Sequence, residues 1–230
     1  MDGELTDWLE TEQKYDVSMD FVVPDLTGLE AGLGSSAPAV QHLAASYFDT
    51  PDLHLARAKI TFRRRTGGTD AGWHLKLPVA PGTRREIRAP LWPTAGPVPD
   101  EMAGPNDIAG PDDIGVPDEL AAQVSAWTAG QPLRMIAVLE TTRTVRRITG
   151  PAGQDLAEVA DDLVVGRRPA RQGAEATSLT WREIEVELIS GTPAILAAAD
   201  GRLRAAGARP SRSASKLSRL LEAGPDAGGA

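Results

Sequence analysis

The stretch that decides the fold is Glu10-Thr11-Glu12-Gln13-Lys14, close to the N-terminus. It places two carboxylates and one ammonium group on alternate residues. Successive side chains of a β-strand point to opposite faces, so Glu10, Glu12 and Lys14 share one face of an extended chain. On a single strand, this pattern is also typical of the solvent side of an edge strand. It becomes informative when other strands repeat it.

Three further strand-like segments again put charged side chains on one face. An ordinary antiparallel sheet buries its apolar face and leaves its charged face in solvent. A sheet rolled into a tube can instead direct both signs of charge into one lumen. The segments are 61–65 with Arg63 and Arg65 in phase, 83–88 with Arg84, Glu86 and Arg88, and 181–188 with Glu183, Glu185 and Glu187.

Composition limits the class of protein. The chain has 230 residues, of which 41% are hydrophobic, so it suits one domain with a real core. It has no cysteine, which excludes disulfides and thiolate metal sites and indicates a reducing compartment. We find no signal peptide and no apolar run that could cross a bilayer, so we expect a cytoplasmic protein without a membrane partner. The net charge of -8 argues against broad nucleic-acid binding, although a local basic lining could hold a compact polyanion.

Strands dominate the predicted elements. The segment 67–71 (GGTDA) is a strong hairpin signal between two of them. Thr192, Pro193 and Gly207 mark the start and end of one helix, because these residue types favour those positions. Many antiparallel strands with a few helices argue for an α+β fold or a closed barrel. After the strand at 10–14, the predicted strands are 41–49, 58–66, 72–78, 83–90, 134–149, 155–165 and 178–189, and two further helices are predicted at 119–128 and 213–223.

The remaining segments define the domain organisation. Residues 93–118 are rich in proline, glycine and aspartate, which predicts a mobile acidic loop inside a single domain over residues 1–222. Residues 27–36 are expected to form a short polar helix or loop. Residues 223–230 are expected to be a tail or the start of a linker.

Taken together and in order, several motifs resemble a CYTH domain, of the triphosphate tunnel metalloenzyme superfamily. The resemblance covers roughly residues 6–222 and is greatest to the CYTH part of bacterial CYTH–CHAD proteins, although no helical, histidine-rich CHAD region follows. The motifs are Glu10-x-Glu12-x-Lys14, 47–53 (YFDTPDL), the strand with Arg63 and Arg65, 73–78 (WHLKLP), 181–188 (WREIEVEL) and 213–217 (SASKL).

The resemblance implies an α+β fold with a closed eight-stranded antiparallel β-barrel, or tunnel, and a few flanking helices. Its lumen is expected to bind a linear triphosphate together with Mg²⁺ or Mn²⁺. Inward lysines and arginines neutralise phosphate, and hard divalent cations prefer carboxylate and phosphate oxygens. Phosphoryl transfer then needs positioning and charge stabilisation, with a metal-bound water as the nucleophile.

The resemblance also implies roles for individual residues. Lys14 is the expected catalytic residue, which orients the attacking water, and it also binds substrate. Glu86 is expected to pair with a base of the lumen. The remaining substrate-binding residues are Arg63, Arg65, Lys76, Arg84 and Lys216. The expected metal ligands are Glu10, Glu12, Glu158, Asp162, Glu183, Glu185 and Glu187.

One strand departs from the family pattern. The family places bases at the two positions that Glu140 and Thr142 occupy here. Arg143 has the opposite phase and is predicted to point outward. The lumen is therefore expected to lack two cations.

Other functions stay open beside a metal-dependent triphosphatase. One is a non-catalytic module that binds triphosphate or polyphosphate, which the departure at Glu140 and Thr142 favours. A class IV adenylate cyclase is a minor alternative, because nothing in the sequence indicates an adenine pocket. A CHAD domain in a longer chain is a possible partner. His42, His54 and His74 lack the spacing of metal ligands, and His74 is expected to be a structural residue that shares a face with Lys76.

Overall fold

A computed structural model describes residues 5–30, 32–91, 115–170 and 175–223. Within these ranges, the strands are β1 Thr6–Val17, β2 Gly34–Ser35, β3 Ala39–Asp49, β4 Thr61–Thr66, β5 Gly72–Ala80, β6 Thr83–Ala89, β7 Arg134–Thr149, β8 Asp155–Arg168, β9 Thr177–Leu188 and β10 Arg209–Pro210. The helices are α1 His54–Arg57, α2 Asp118–Thr128, α3 Pro193–Ala205 and α4 Lys216–Glu222.

The eight long strands form a closed antiparallel barrel. Their order is β1-β6-β5-β4-β3-β7-β8-β9, and β9 pairs again with β1. The two-residue strands β2 and β10 pair with β7 and β1. The closed eight-stranded barrel with flanking helices that the sequence predicts is thereby confirmed.

Strand β1 closes the ring because it pairs with two neighbours in succession. Its first half pairs with β6, with Glu10 opposite Arg84, and its second half pairs with β9, with Lys14 opposite Glu185. The change takes place at Glu12, whose N–H donates to the carbonyl of Gly82 (3.0 Å). The charged stretch of β1 therefore lies where the ring is joined.

The apolar faces of the strands point outward, beneath the helices. The cluster that α3 covers includes Ile184 and Val186 of β9. Phe62 belongs to a second cluster, with residues of α1 and α2, and Trp181 packs with residues of α4 in a third. Each such side chain contributes roughly 1.5–3 kcal/mol by its burial. Because alternate residues face opposite ways, burying the apolar set outside leaves the charged set inside.

Several boundaries differ from those predicted. The segment 27–36 contains turns and strand β2 but no helix among its described residues, and β8 continues to Arg168. Helix α4 begins at Lys216, because the Ser215 hydroxyl accepts the N–H of Ser218 (3.0 Å) and caps it there. Helix α3 begins at Pro193 after Thr192, as predicted.

Helix α1 was not predicted at all. The Asp49 carboxylate accepts the N–H groups of Leu55 (2.9 Å) and Ala56 (2.8 Å), which satisfies donors at the start of this four-residue helix. The predicted acidic loop at 93–118 lies outside the described residues apart from 115–118, and so does the tail after residue 223. Over the described ranges, no helix has the length and apolarity that a membrane span requires.

Candidate functional site in the barrel lumen

The barrel encloses a charged cavity of about 210 Å³. Bases from five strands and from α4 line it, and every base predicted to bind substrate is among them. Carboxylates are equal in number to these bases among the described residues. Some of them line the cavity, and the others are buried beside it and pair with the bases. The nine bases are Lys14, Arg63, Arg65, Lys76, Arg84, Arg88, Arg143, Arg147 and Lys216. The nine carboxylates are Glu10, Asp70, Glu158, Glu185 and Glu187 on the lining, with Glu12, Glu86, Asp162 and Glu183 buried beside it.

Arg63 and Arg84 are the bases that are least neutralised. The Arg63 guanidinium donates to the hydroxyl of Tyr47 (3.4 Å), and no carboxylate among the described residues lies within 4.0 Å of it. Among the described residues, Arg84 forms an ion pair with one carboxylate, that of Glu12, at 4.0 Å. Burial opposes ionisation of Tyr47, but the charge and the hydrogen bond of Arg63, with the charges of Lys216 and Arg65, together lower the pKa of this phenol. These two guanidinium groups are therefore available to an anion in the cavity.

Lys14 is held as a charged ammonium group. Its Nζ donates to Glu12 (2.9 Å) and also contacts Glu185 of the neighbouring strand β9. Burial opposes the charge, but the carboxylates of Glu12 and Glu185 outweigh it and raise the pKa of Lys14. Lys14 can therefore neutralise or orient a group in the lumen, whereas abstracting a proton would require it to be neutral.

Three of the predicted metal ligands converge at one point. Carboxylate oxygens of Asp162, Glu183 and Glu185 lie within 4.8 Å of one another. The Nζ of Lys216 lies 2.7–2.8 Å from all three, and Arg143 donates to Asp162 at 2.6 and 2.7 Å. Burial raises the pKa of Asp162, but Lys216 and Arg143 outweigh it and lower the pKa overall.

This donor set fits a hard divalent cation. All its ligand atoms are carboxylate oxygens, as Mg²⁺ and Mn²⁺ prefer, and it contains no histidine or thiolate. In the structure, the ammonium group of Lys216 contacts all three carboxylates, and Arg143 contacts two of them. A metal ion would therefore take over contacts that Lys216 now makes.

The other four predicted metal ligands lie apart from this cluster. Glu10 accepts from Lys76 (2.6 Å), Glu12 from Lys14, and Glu158 lies 2.7 Å from Arg147. Burial, and next the charge of Glu10, raises the pKa of Glu187 to about 7. Glu187 is thus a carboxyl group in an excess of negative charge, beside Glu12 on β1 and Glu158 on β8.

The prediction for strand β7 was wrong by one residue. Arg143 points into the lumen, where it pairs with Asp162 and Glu185, and Arg147 faces the same way. Thr142 is exposed, and Glu140 pairs on the outside with Arg167 (2.8 Å). Opposite charges on β8 explain this phase, since Arg143 lies directly across from Asp162. The lumen therefore does not lack bases on this strand.

Among the lining residues that sequence reasoning missed, Tyr47 and four charged residues bear on the chemistry of the site. Arg88 shares the alternation already noted for Arg84 and Glu86, so its pattern could have indicated it. The alternation of Arg143 with Arg147 was equally visible but was assigned the opposite phase. Tyr47 and Asp70 lie in segments that the sequence singled out for other reasons, and only their partners Arg63 and Arg65 reveal their place in the site.

His74 forms part of the wall. Its Nδ1 lies 2.8 Å from Glu86 and its Nε2 lies 2.9 Å from the carbonyl oxygen of Asp70. Burial lowers the pKa of His74 to about 3. Glu86 also accepts from Arg88 (2.9 Å), as expected of a carboxylate that pairs with a base of the lumen. The pair therefore fixes the wall from which Lys76 and Arg88 project.

Comparisons with known proteins agree with this architecture. The CYTH domain family matches residues 9–219. Two uncharacterised proteins of Mycobacterium tuberculosis, from strains CDC 1551 / Oshkosh and ATCC 25618 / H37Rv, are each 39% identical over 225 residues, which is 94% of this chain and 40% of theirs. The chain thus spans about two-fifths of the length of these relatives. Among solved structures, a candidate adenylate cyclase from Bacillus halodurans has a TM-score of 0.58 at 16% identity, over 94% of this chain and 99% of the other, and so shares the fold.

Proposed function

Because the chain belongs to the CYTH domain family, we propose that it is a divalent-metal-dependent triphosphatase that hydrolyses inorganic or organic triphosphate inside the barrel. The observation that carries the proposal is the convergence of bases from five strands and one helix on a single cavity. Arg63 and Arg84 are the least neutralised bases of this set, and an extended anion can contact them together with Lys76. Charge-assisted contacts of this kind hold phosphate groups strongly.

The charge balance of the lumen supports a requirement for metal. Bases and carboxylates are equal in number there, so a triphosphate entering alone would leave the cavity strongly negative. Uncompensated charge in a buried site is costly. Divalent cations that enter with the triphosphate would offset its charge.

The chain's own residues then have separate tasks. Asp162, Glu183 and Glu185 would hold Mg²⁺ or Mn²⁺, which supplies charge neutralisation and a more acidic bound water. Arg63 and Arg84 bind the phosphate groups. Lys14, held by Glu12 and Glu185, orients the attacking water. Lys14 and Arg84 are largely buried, and this shielding from solvent strengthens their contacts.

A groove beside the lumen is an argument that organic triphosphates are substrates as well as inorganic triphosphate. It lies between α1 and α4, where Leu53, Leu217 and Leu221 give it apolar walls. Thr61 and Arg84 line both this groove and the lumen. An organic group attached to a phosphate held by Arg84 would therefore have a place beside the cavity.

The competing functions have less support. A module that only binds polyphosphate was favoured by the two missing bases of β7, and Arg143 and Arg147 remove that reason. A class IV adenylate cyclase stays a minor alternative, because nothing in the sequence indicates an adenine pocket. Association with a CHAD domain stays a prediction, as does a cytoplasmic location.

The test is phosphate release from a panel of inorganic and organic triphosphates, with Mg²⁺, with Mn²⁺ and with a chelator. Arg63→Met should lower turnover about tenfold to a hundredfold, because one charge-assisted contact is worth about 1.5–3 kcal/mol. Arg167→Met removes a guanidinium group outside the barrel and should leave turnover unchanged. Binding of triphosphate without any release would instead favour the binding module, and neither binding nor release would refute both functions.

A further inference from the structure

The turn between β4 and β5 carries a carboxylate into the lumen. Asp70 lies in this turn, lines the cavity and contacts the guanidinium group of Arg65. The same carboxylate lies 3.8 Å from Arg88. Its side chain keeps 27% of its exposure, so it is open to the cavity rather than enclosed in the wall.

The Asp70 carboxylate neutralises the guanidinium group of Arg65. The Arg65 side chain is 5% exposed, and burial, together with the charges of Arg63 and Arg143, lowers its pKa. In the described part of the chain, Asp70 provides the carboxylate with which Arg65 forms an ion pair. Since a buried guanidinium group requires an anion, Asp70 occupies the place that a phosphate would take.

The turn is anchored independently of the Asp70 side chain. The carbonyl oxygen of Asp70 lies 2.9 Å from Nε2 of the buried His74. Gly67 has a φ of 76°, and a Cβ there would lie 2.0 Å from the carbonyl oxygen of His42. The backbone path is therefore fixed by glycine and by His74 and does not depend on the contact between the Asp70 carboxylate and Arg65.

We propose that Asp70 is an internal competitor of the substrate, a carboxylate that occupies one phosphate position on Arg65 and Arg88 and that a triphosphate must displace. The inference rests on the proposed function, because it assumes that the lumen binds this anion. Asp70 neutralises Arg65 when the tunnel is empty and selects for ligands whose charge density exceeds that of one carboxylate. It is thus a specificity-determining residue of the cavity lining.

The experiment compares triphosphate binding by the wild type, Asp70→Asn and Glu140→Gln, by calorimetry at low salt with Mg²⁺ and with a chelator. Asp70→Asn keeps the side-chain size and removes the competing charge, so the dissociation constant should fall at least about tenfold, as one charge-assisted contact is gained without displacement. Glu140→Gln makes the same charge change on the outside of the barrel and should leave the affinity unchanged. The gain of Asp70→Asn should shrink as salt rises.

Each result separates the inference from the proposed function. Equal or weaker binding by Asp70→Asn, with normal binding by the wild type, would overturn the competitor role and leave the triphosphate site standing. An equal gain in triphosphate affinity for Glu140→Gln would mean that only the net charge of the protein matters, and it would also overturn the competitor role of Asp70. No binding by the wild type or Asp70→Asn would refute both ideas. Thermal unfolding adds a second readout, since added triphosphate should stabilise Asp70→Asn more than the wild type.

Discussion

At the scale of single residues, Arg143 decides whether β7 belongs to the site. Its guanidinium group contacts the carboxylates of Asp162 and Glu185, and its side chain is only 13% exposed. We expect Arg143→Ala to cost about 1.5–3 kcal/mol in the free energy of unfolding, because Asp162 and Glu185 each lose a charge-assisted contact while Lys216 still pairs with both. Urea denaturation measures this. The matched control is Thr142→Ala on the outward face, which should change stability by less than about 0.5 kcal/mol; the reverse ranking would mean that the strand faces the other way.

Glu187 should make stability depend on pH. Burial, and next the charge of Glu10, raises its pKa to about 7 from 4.5. A raised pKa means that the folded protein favours the protonated carboxyl. This contribution to stability is complete below pH 4.5 and is lost as the pH rises through about 7.

The variant Glu187→Gln tests this, because glutamine stays uncharged at every pH. Its melting temperature should exceed that of the wild type above pH 7, and the difference should vanish below pH 4.5. The expected gain at high pH is about 1–3 kcal/mol. Glu140→Gln, at an exposed position, should show no such dependence. A difference between Glu187→Gln and the wild type that is constant from pH 4 to pH 8 would contradict the raised pKa.

Alternation of charge along a strand predicted most of the lumen, but it could not fix every phase. In β1 and β9, charged residues of the site occupy one phase and mostly uncharged residues occupy the other, so the inward face could be predicted. In β7, Glu140 and Arg143 are charged on opposite phases, and the local pattern is ambiguous. The neighbouring strand determines which phase faces inward, since Arg143 of β7 lies opposite Asp162 of β8. A one-residue shift in register reverses every side chain, and sequence alone does not exclude it.

At the scale of elements, helix α4 delivers a cation to the carboxylate cluster. The Nζ of Lys216 contacts Asp162, Glu183 and Glu185, which a divalent metal would also use. Lys216→Met should therefore destabilise the metal-free protein and make Mg²⁺ or Mn²⁺ more stabilising than it is for the wild type. Melting temperatures with and without metal measure this, in the absence of any phosphate ligand.

Lys59→Met is the control for this prediction, because Lys59 is exposed and lies outside the cluster. It should leave the response to metal at the wild-type level. A Lys216→Met protein that responds to metal no more than the wild type would contradict competition between ammonium and metal at this point.

Elements with long periodic patterns could be predicted, and short ones could not. Strands such as β7 and the proline-started helix α3 carry their signals locally. Helix α1 has only four residues, too few to show a helical period, and its N–H donors are satisfied by Asp49 from the end of β3. That stabilisation is invisible until the turn after β3 is folded.

At the scale of the whole molecule, the barrel is turned inside out relative to an ordinary globular core. Apolar residues face the helices outside and charged residues fill the centre. The order of motifs along the chain was enough to predict the closed ring. It could not predict that bases and carboxylates balance, because this depends on Asp70 and on the phase of β7.

The closure of the ring by β1 has a consequence for how the protein folds. Lys14 and Glu185, which meet across the seam, are separated by 171 residues of chain. Contacts between such distant segments form slowly, because a large loop must be closed before they are rewarded. During synthesis, β1 must wait for β9 before its second half finds a partner. The phosphate-binding residues therefore come together only after β9 has been synthesised and has paired with β1. A chain that ends before β9 cannot close the barrel, so we expect it not to bind triphosphate.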